Sequence, residues 1–288
     1  MKISLKKCVC AMAAAVVAFS VTSFLPGMSA SADEPSFSAS DEIRYGGFYG
    51  DSETATMSDI TSEQVYYTSK SVDSFSTDNY VPFYTPNTTL ANSCGATGGA
   101  IIVGFYDKYY ENLIPGYTTY YTANGRYKPV DSTYIPALMV DLYDLMRTNV
   151  DDVGVSESDC RNGLRSYVQG KGYSLTYTSI KTGSALNMNA CKNAFQNNKP
   201  ILLFCEEAGV AYIGEASGYD NITTTPIANN HIMVAFGYYQ VKYYNGSNNF
   251  RTDTYFYVAP GLFGLTSGWV NVDSIDWLNN GYIVTIND

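Results

Sequence analysis

Residues 92–106 read NSCGATGGAIIVGFY, and this stretch predicts a helix with a cysteine, Cys94, in its first turn. Asn92 and Ser93 are residue types that favour the N-cap position, and small and then apolar residues follow them. A helix N-terminus presents unpaired backbone N–H groups and a partial positive charge, and both favour a thiolate over a thiol. Because the thiolate is the nucleophilic form of cysteine, we interpret Cys94 as a candidate catalytic nucleophile.

A cysteine nucleophile needs a base, and imidazole is the usual one. The chain contains a single histidine, His231, so it is the one candidate for that role. His231 opens the apolar, strand-like run 232–236, which places a polar side chain at the end of a buried strand, where a cleft is expected. The alternative for both residues is structural, because free cysteines and strand histidines are often simply buried.

Together, the two motifs resemble the C39-like branch of the papain-like cysteine peptidases. The cysteine motif is followed by GFYD at 104–107 and NLIPG at 112–116, and HIMVAFGY at 231–238 is similar to that family's histidine strand, H-x-x-V-x-x-G-Y. The likeness extends over about residues 80–288. It implies an α+β, papain-like fold: a helical half carrying the nucleophile helix, packed on an antiparallel β-sheet half carrying the histidine. It also implies Cys94 as nucleophile and His231 as general base and acid.

Two supporting groups of that family are not found in their usual form. Family members place a glutamine six or seven residues before the cysteine as an oxyanion-hole donor, and here those positions hold Thr88 and Asn87. Asn87 is our candidate donor, with an ordinary turn asparagine as the alternative. The group that orients the histidine is expected at the end of the next strand, where Ala259 stands. A backbone carbonyl or Asn271 could take its place, and without any such group the imidazole would be less well fixed.

The N-terminus predicts export. Residues 1–32 combine early lysines, an apolar run and a small-residue cleavage pattern, which is typical of a signal peptide, with an uncleaved anchor as the alternative. Residues 33–75 are polar and lack a sustained apolar period, so we interpret them as a pro-segment or a linker. Residues 76–288 are expected to form one peptidase domain, with helices first and strands later. We therefore expect a monomer that is secreted or attached to the cell wall, without a stable membrane anchor.

The composition argues against several other classes of protein. Asp and Glu number 27 against 17 Lys and Arg, which leaves no basic patch for nucleic acid or anionic lipid. A single histidine and the absence of a C-x-x-C motif argue against a zinc site, so no metal or organic cofactor is expected. Cys160, Cys191 and Cys205 are expected to be buried thiols, with a Cys160–Cys191 disulfide as the alternative.

The sequence therefore predicts a secreted cysteine peptidase that acts on peptide or protein substrates. Two alternatives stay open. The first is an amidase or transferase acting on peptidoglycan peptides, although cell-wall enzymes of the Cys–His–His type need a second histidine. The second is a catalytically silent papain-like domain that binds a surface partner, an interpretation that Ala259 favours because it leaves the histidine without a side-chain orienter.

Overall fold

The computed structural model describes residues 43–46, 60–77, 81–122, 125–127, 133–150, 154–227 and 229–288. The predicted signal peptide lies outside these residues. The described part contains four helices: α1 (Cys94–Asp107), α2 (Tyr134–Leu145), α3 (Glu157–Gly170) and α4 (Met188–Gln196). None of the helices in the described ranges is long and apolar enough to cross a membrane.

Sixteen strands accompany the helices in the described ranges. They are β1 (Arg44–Tyr45), β2 (Thr61–Tyr66), β3 (Ser69–Ser76), β4 (Tyr120–Thr122), β5 (Gly125–Tyr127), β6 (Val155–Ser156), β7 (Ser174–Ser179), β8 (Lys181–Thr182), β9 (Ala185–Leu186), β10 (Ile201–Cys205), β11 (Gly209–Ala216), β12 (Tyr219–Pro226), β13 (His231–Asn245), β14 (Asn248–Ala259), β15 (Gly268–Asn271) and β16 (Leu278–Asn287).

One antiparallel sheet of ten strands dominates the fold. Its order is β2-β12-β11-β15-β14-β13-β10-β16-β7, and β3 pairs with β13 beside this path. The long β13 is central, because β10 pairs with its first residues and β14 and β3 pair with the rest. The two-stranded ladders β1–β6, β4–β5 and β8–β9 lie outside this sheet.

The predicted papain-like α+β fold is wrong. The described residues are mostly β, organised by a ten-stranded antiparallel sheet, and do not form a helical half packed on a separate sheet half. The observed sheet is larger than the predicted one in part because it includes strands that carry few apolar residues. Strands β2 and β3, over 61–76, belong to the same sheet as the histidine strand, although their Ser, Thr and Tyr content predicted a linker. Such residues form strands well when they pair on a half-exposed surface.

Helices cover the two faces of the sheet. One core contains α1, α2 and α3 against Leu202, Phe204, Ile232 and Val234, and the other contains α4 against residues of the opposite face such as Leu203. All fourteen residues of α1 are buried. Its glycines allow this close packing: a Cβ added to Gly98 would lie 3.2 Å from Cγ2 of Ile232. The first turn of α1 is thereby held against the start of β13.

Candidate active site

Cys94 is the first residue of α1 and is 1% exposed. The first helical hydrogen bond runs from the Thr97 N–H to the Ser93 carbonyl at 2.8 Å. Ser93 occupies the predicted N-cap position, but its side chain accepts no hydrogen bond from the helix in the described structure. The helix therefore starts without the side-chain cap that Ser156 provides for α3, where its hydroxyl accepts from the Asp159 N–H. The positive end of the α1 dipole is directed at the cysteine.

His231 is the first residue of β13 and is also 1% exposed. Its Nε2 lies 2.6 Å from the carbonyl oxygen of Pro260. Because a carbonyl can only accept, Nε2 carries the proton and Nδ1 carries the lone pair. Nδ1 is buried and has no hydrogen-bond partner among the described residues. His231 thus presents a fixed tautomer with an unused basic nitrogen.

Burial controls the charge of this histidine. It lowers the pKa of His231 to about 4, and the hydrogen bond to Pro260 opposes this only in part. The imidazole is therefore neutral at neutral pH, which is the form a general base requires.

Packing brings the start of α1 to the end of the sheet where His231 lies. Gly98 contacts Ile232, the residue after the histidine. A Cβ added to Gly261, which follows the Pro260 carbonyl, would lie 2.9 Å from Cγ2 of Thr97, and Gly261 has a φ of +63° that favours glycine. The turn that orients the histidine is thus packed on the first turn of the cysteine helix.

Two other buried thiols lie in elements near the candidate site. Cys205 is the register partner of His231 between β10 and β13. Burial and, after it, the charge of Cys94 raise the pKa of the Cys205 thiol. The same two causes come first for Cys160 in α3, whose pKa is also raised. Cys94 itself belongs to the core that contains α1, whereas Cys205 belongs to the core that contains α4.

The remaining candidates have local roles. The Asn87 side-chain oxygen accepts from the Thr89 N–H and hydroxyl at 3.0 and 2.9 Å, so this asparagine stabilises a turn. Its role as an oxyanion donor stays a prediction. Asn271, considered as an orienter, accepts from the Asp273 N–H at 2.9 Å. The orienting group is instead a backbone carbonyl, one residue after Ala259.

Sequence reasoning missed a segment that lies beside the site. The Gly46 N–H donates to the Asn230 carbonyl at 3.2 Å, immediately before His231. On its other side, a Cβ on Gly46 would lie 2.9 Å from Oδ1 of Asn92, two residues before Cys94. The polar composition around residues 43–46 gave no signal for this contact, because it is made by backbone groups and a glycine.

The four cysteines of the described residues are not cross-linked. Cys160, Cys191 and Cys205 are buried thiols, so the alternative Cys160–Cys191 disulfide is absent from the described residues. No group of three or more metal-ligating side chains occurs in the part of the chain that the structure describes.

No model of a known protein family matches the chain, and no curated protein or solved structure matches it either.

Proposed function

We propose that this chain is a cysteine-dependent peptidase with Cys94 as nucleophile and His231 as general base and acid. The observation that supports it best is the state of the His231 ring. Nε2–H is held by the Pro260 carbonyl, and the buried Nδ1 is left unpaired among the described residues at the end of the sheet where α1 begins. A buried polar atom without a partner is costly and therefore calls for an explanation. A proton-accepting role provides one. Because Nδ1 receives no hydrogen bond from Cys94 in this conformation, that role requires the two side chains to approach each other.

The reaction follows from these groups. His231 Nδ1 takes the Cys94 proton, and the thiolate attacks the carbonyl carbon of the scissile bond. Backbone N–H groups at the start of α1 are the natural donors to the resulting oxyanion. The imidazolium then gives its proton to the leaving amine, which leaves a thioester on Cys94. Water attacks the thioester, His231 accepts its proton, and the carboxylic acid product leaves as the thiol is restored.

A silent binding domain is the second candidate, and one observation favours it. Both Cys94 and His231 are only 1% exposed, so neither touches a polypeptide substrate in this conformation. The peptidase and the binding domain differ in whether Cys94 and His231 cleave a peptide once they are accessible to it.

The test is cleavage of a mixed peptide library, measured by mass spectrometry, for the full chain and for Tyr45→Ala, which loosens the segment at residues 43–46. Each is assayed with and without Cys94→Ala, and Cys191→Ala is the matched control because Cys191 is a buried thiol in the other core. We expect cleavage that survives Cys191→Ala and disappears in Cys94→Ala. Cleavage that persists in Cys94→Ala would refute the mechanism, and an absence of cleavage from every preparation would favour the binding domain.

A further inference from the structure

Residues 43–46 form an extended segment beside the candidate active site, in contact with Asn230 and Asn92. Asn230, the neighbour of His231, holds the segment from both sides: its carbonyl accepts from the Gly46 N–H and its Nδ2 donates to the Arg44 carbonyl at 3.0 Å. Arg44 also forms an ion pair with Asp159 at 3.7 Å. The segment is therefore anchored to the histidine strand at one edge and to α3 at the other.

Its backbone is paired in the way that an added peptide strand would be. β1 pairs antiparallel with β6, with Arg44 opposite Ser156 and Tyr45 opposite Val155. Extended peptides bind proteins by this mode, since main-chain hydrogen bonds give affinity and side-chain pockets give selectivity. The pairing involves only two residues on each strand, so the segment is held mainly by the contacts of Arg44, Tyr45 and Gly46.

Tyr45 is the buried anchor of the segment. Its side chain is 1% exposed, and its ring meets Phe204 edge to face with centroids 5.2 Å apart. Its hydroxyl accepts from Asn279 Nδ2 at 3.3 Å. Burial is the main cause that raises the pKa of this hydroxyl, and the charge of Glu157 contributes to the rise. The ring is thus packed against Phe204, the residue before Cys205, which is the register partner of His231.

The site occupied by the Tyr45 ring borders a cavity. A cavity of about 360 Å³ borders Tyr45 and is lined by Glu157 and Arg161 of α3 and by Asn280 of β16. A peptide that follows the same path would therefore place one side chain against the aromatic ring of Phe204 and a neighbouring side chain in this polar cavity.

We propose that residues 43–46 are an internal occupant of the peptide path: they cover Cys94 and His231 until displaced, and they mark a preference for an extended peptide with an aromatic side chain at the place of Tyr45. This inference rests on the proposed function for the identity of the path, but the covering itself does not require catalysis. It accounts for a nucleophile and a base that are both 1% exposed.

The experiment measures the rate at which iodoacetamide labels Cys94 in the full chain, by peptide mass spectrometry. Two variants displace the segment by different means. Tyr45→Ala removes the anchor, and Gly46→Ala places a Cβ against Oδ1 of Asn92. Tyr45→Phe keeps the ring and is the matched control. Cys191, buried in the other core with a pKa raised by burial to about 12, is the internal reference for unfolding.

We expect Tyr45→Ala and Gly46→Ala to speed Cys94 labelling at least about tenfold, because loss of buried packing raises the open fraction, while Tyr45→Phe and Cys191 labelling stay near wild type. In Tyr45→Ala, a saturating capped peptide Ile-Arg-Tyr-Gly should restore protection of Cys94, and Ile-Arg-Ala-Gly should not.

Three outcomes would overturn the proposal. Cys94 labelling could stay at the wild-type rate in Tyr45→Ala and Gly46→Ala, or Cys94 and Cys191 could both be labelled faster in these variants, which would indicate unfolding. The third outcome is faster Cys94 labelling that neither peptide reverses. Faster labelling with peptide protection but without peptide cleavage would support the covering segment while contradicting the proposed peptidase, so the two failures are distinguishable.

Discussion

His231 donates a hydrogen bond from Nε2 to the carbonyl oxygen of Pro260 at 2.6 Å. This single contact performs the task that a side-chain amide or carboxylate performs in many histidine-dependent enzymes: it fixes the tautomer and the plane of the ring. A carbonyl does so without adding a negative charge. The imidazolium is therefore less stabilised than beside a carboxylate, which agrees with the lowered pKa of His231.

The first prediction concerns the base. His231→Gln should lower kcat/KM for peptide cleavage by about 10²- to 10⁴-fold, the usual contribution of a positioned general acid–base group. The measurement is steady-state cleavage of the best library peptide in the Tyr45→Ala background. Circular dichroism on the same samples checks that the fold is kept. Activity within twofold of the parent would contradict the role assigned to His231.

The second prediction uses the same histidine as a probe of stability against pH. Its pKa is about 4 in the folded chain and about 6.5 in the unfolded chain, so between these values the unfolded chain binds the extra proton. The contribution of His231 to stability is thus fully present above pH 6.5 and is lost as the pH falls through 4. At about 1.4 kcal/mol per pKa unit, the loss approaches roughly 3 kcal/mol.

Urea denaturation at pH 7 and pH 4.5 measures this effect. Wild type and His231→Gln both lose stability from carboxylate protonation, but wild type should lose more. An equal loss in the two proteins would show that the buried histidine does not titrate as its surroundings imply.

Local patterns in the sequence predicted a helix that begins at Cys94 and a strand that begins at His231, and both elements are confirmed. The helix that starts at Cys94 and the strand that starts at His231 are both encoded locally. Each contains a run of small and apolar residues that is buried in the structure, and such a run is recognisable from the sequence alone. The contact that orients His231 could not be predicted in this way. The Pro260 carbonyl is a backbone atom, and no side-chain pattern distinguishes it from any other carbonyl.

The sheet could not be predicted in the same way. β2 pairs with β12, and the side-chain hydrogen bond from Ser62 to Asn221 joins residues 159 positions apart. Five of the six residues of β2 are exposed, and β12 buries only Asp220 and Ile222, so neither strand carries the apolar residues of a strand that lies in a core. Pairing over such distances is decided by the partner strand rather than by local preference. The papain-like expectation failed at this point.

A third prediction tests a close approach between two backbones within that sheet. A Cβ added to Gly237 in β13 would lie 2.4 Å from the Phe75 carbonyl oxygen of β3, so a backbone would have to move. Gly237→Ala should cost about 1–3 kcal/mol of unfolding free energy, as overpacking usually does. Gly170→Ala is the matched control, since a Cβ there meets nothing within 4 Å. Equal midpoints in urea for the two variants would show that β3 does not press on β13 at this glycine.

The last prediction concerns a buried carboxylate of β12, Asp220, which accepts hydrogen bonds from side chains of β3 and β13. Asp220 is fully buried and accepts from Lys70 at 2.8 and 2.9 Å and from the Tyr243 hydroxyl at 3.0 Å. Side-chain hydrogen bonds to Asp220 and Glu215 raise the pKa of Lys70 against the opposing effect of burial, so the lysine stays charged. Removing one member of such a pair leaves the other charge with an incomplete shell.

Asp220→Ala should therefore cost about 3 kcal/mol, at the lower end for a broken buried pair because Lys70 keeps Glu215 at 2.8 Å. Asp73→Ala is the matched control: its side chain is 59% exposed and pairs with Lys192 at 2.7 Å, so its loss should cost less than about 1 kcal/mol. Both are measured by urea denaturation at pH 7, well above the carboxylate pKa range. If Asp220→Ala is no less stable than Asp73→Ala, the Asp220 cluster does not hold the edge strands to the histidine strand.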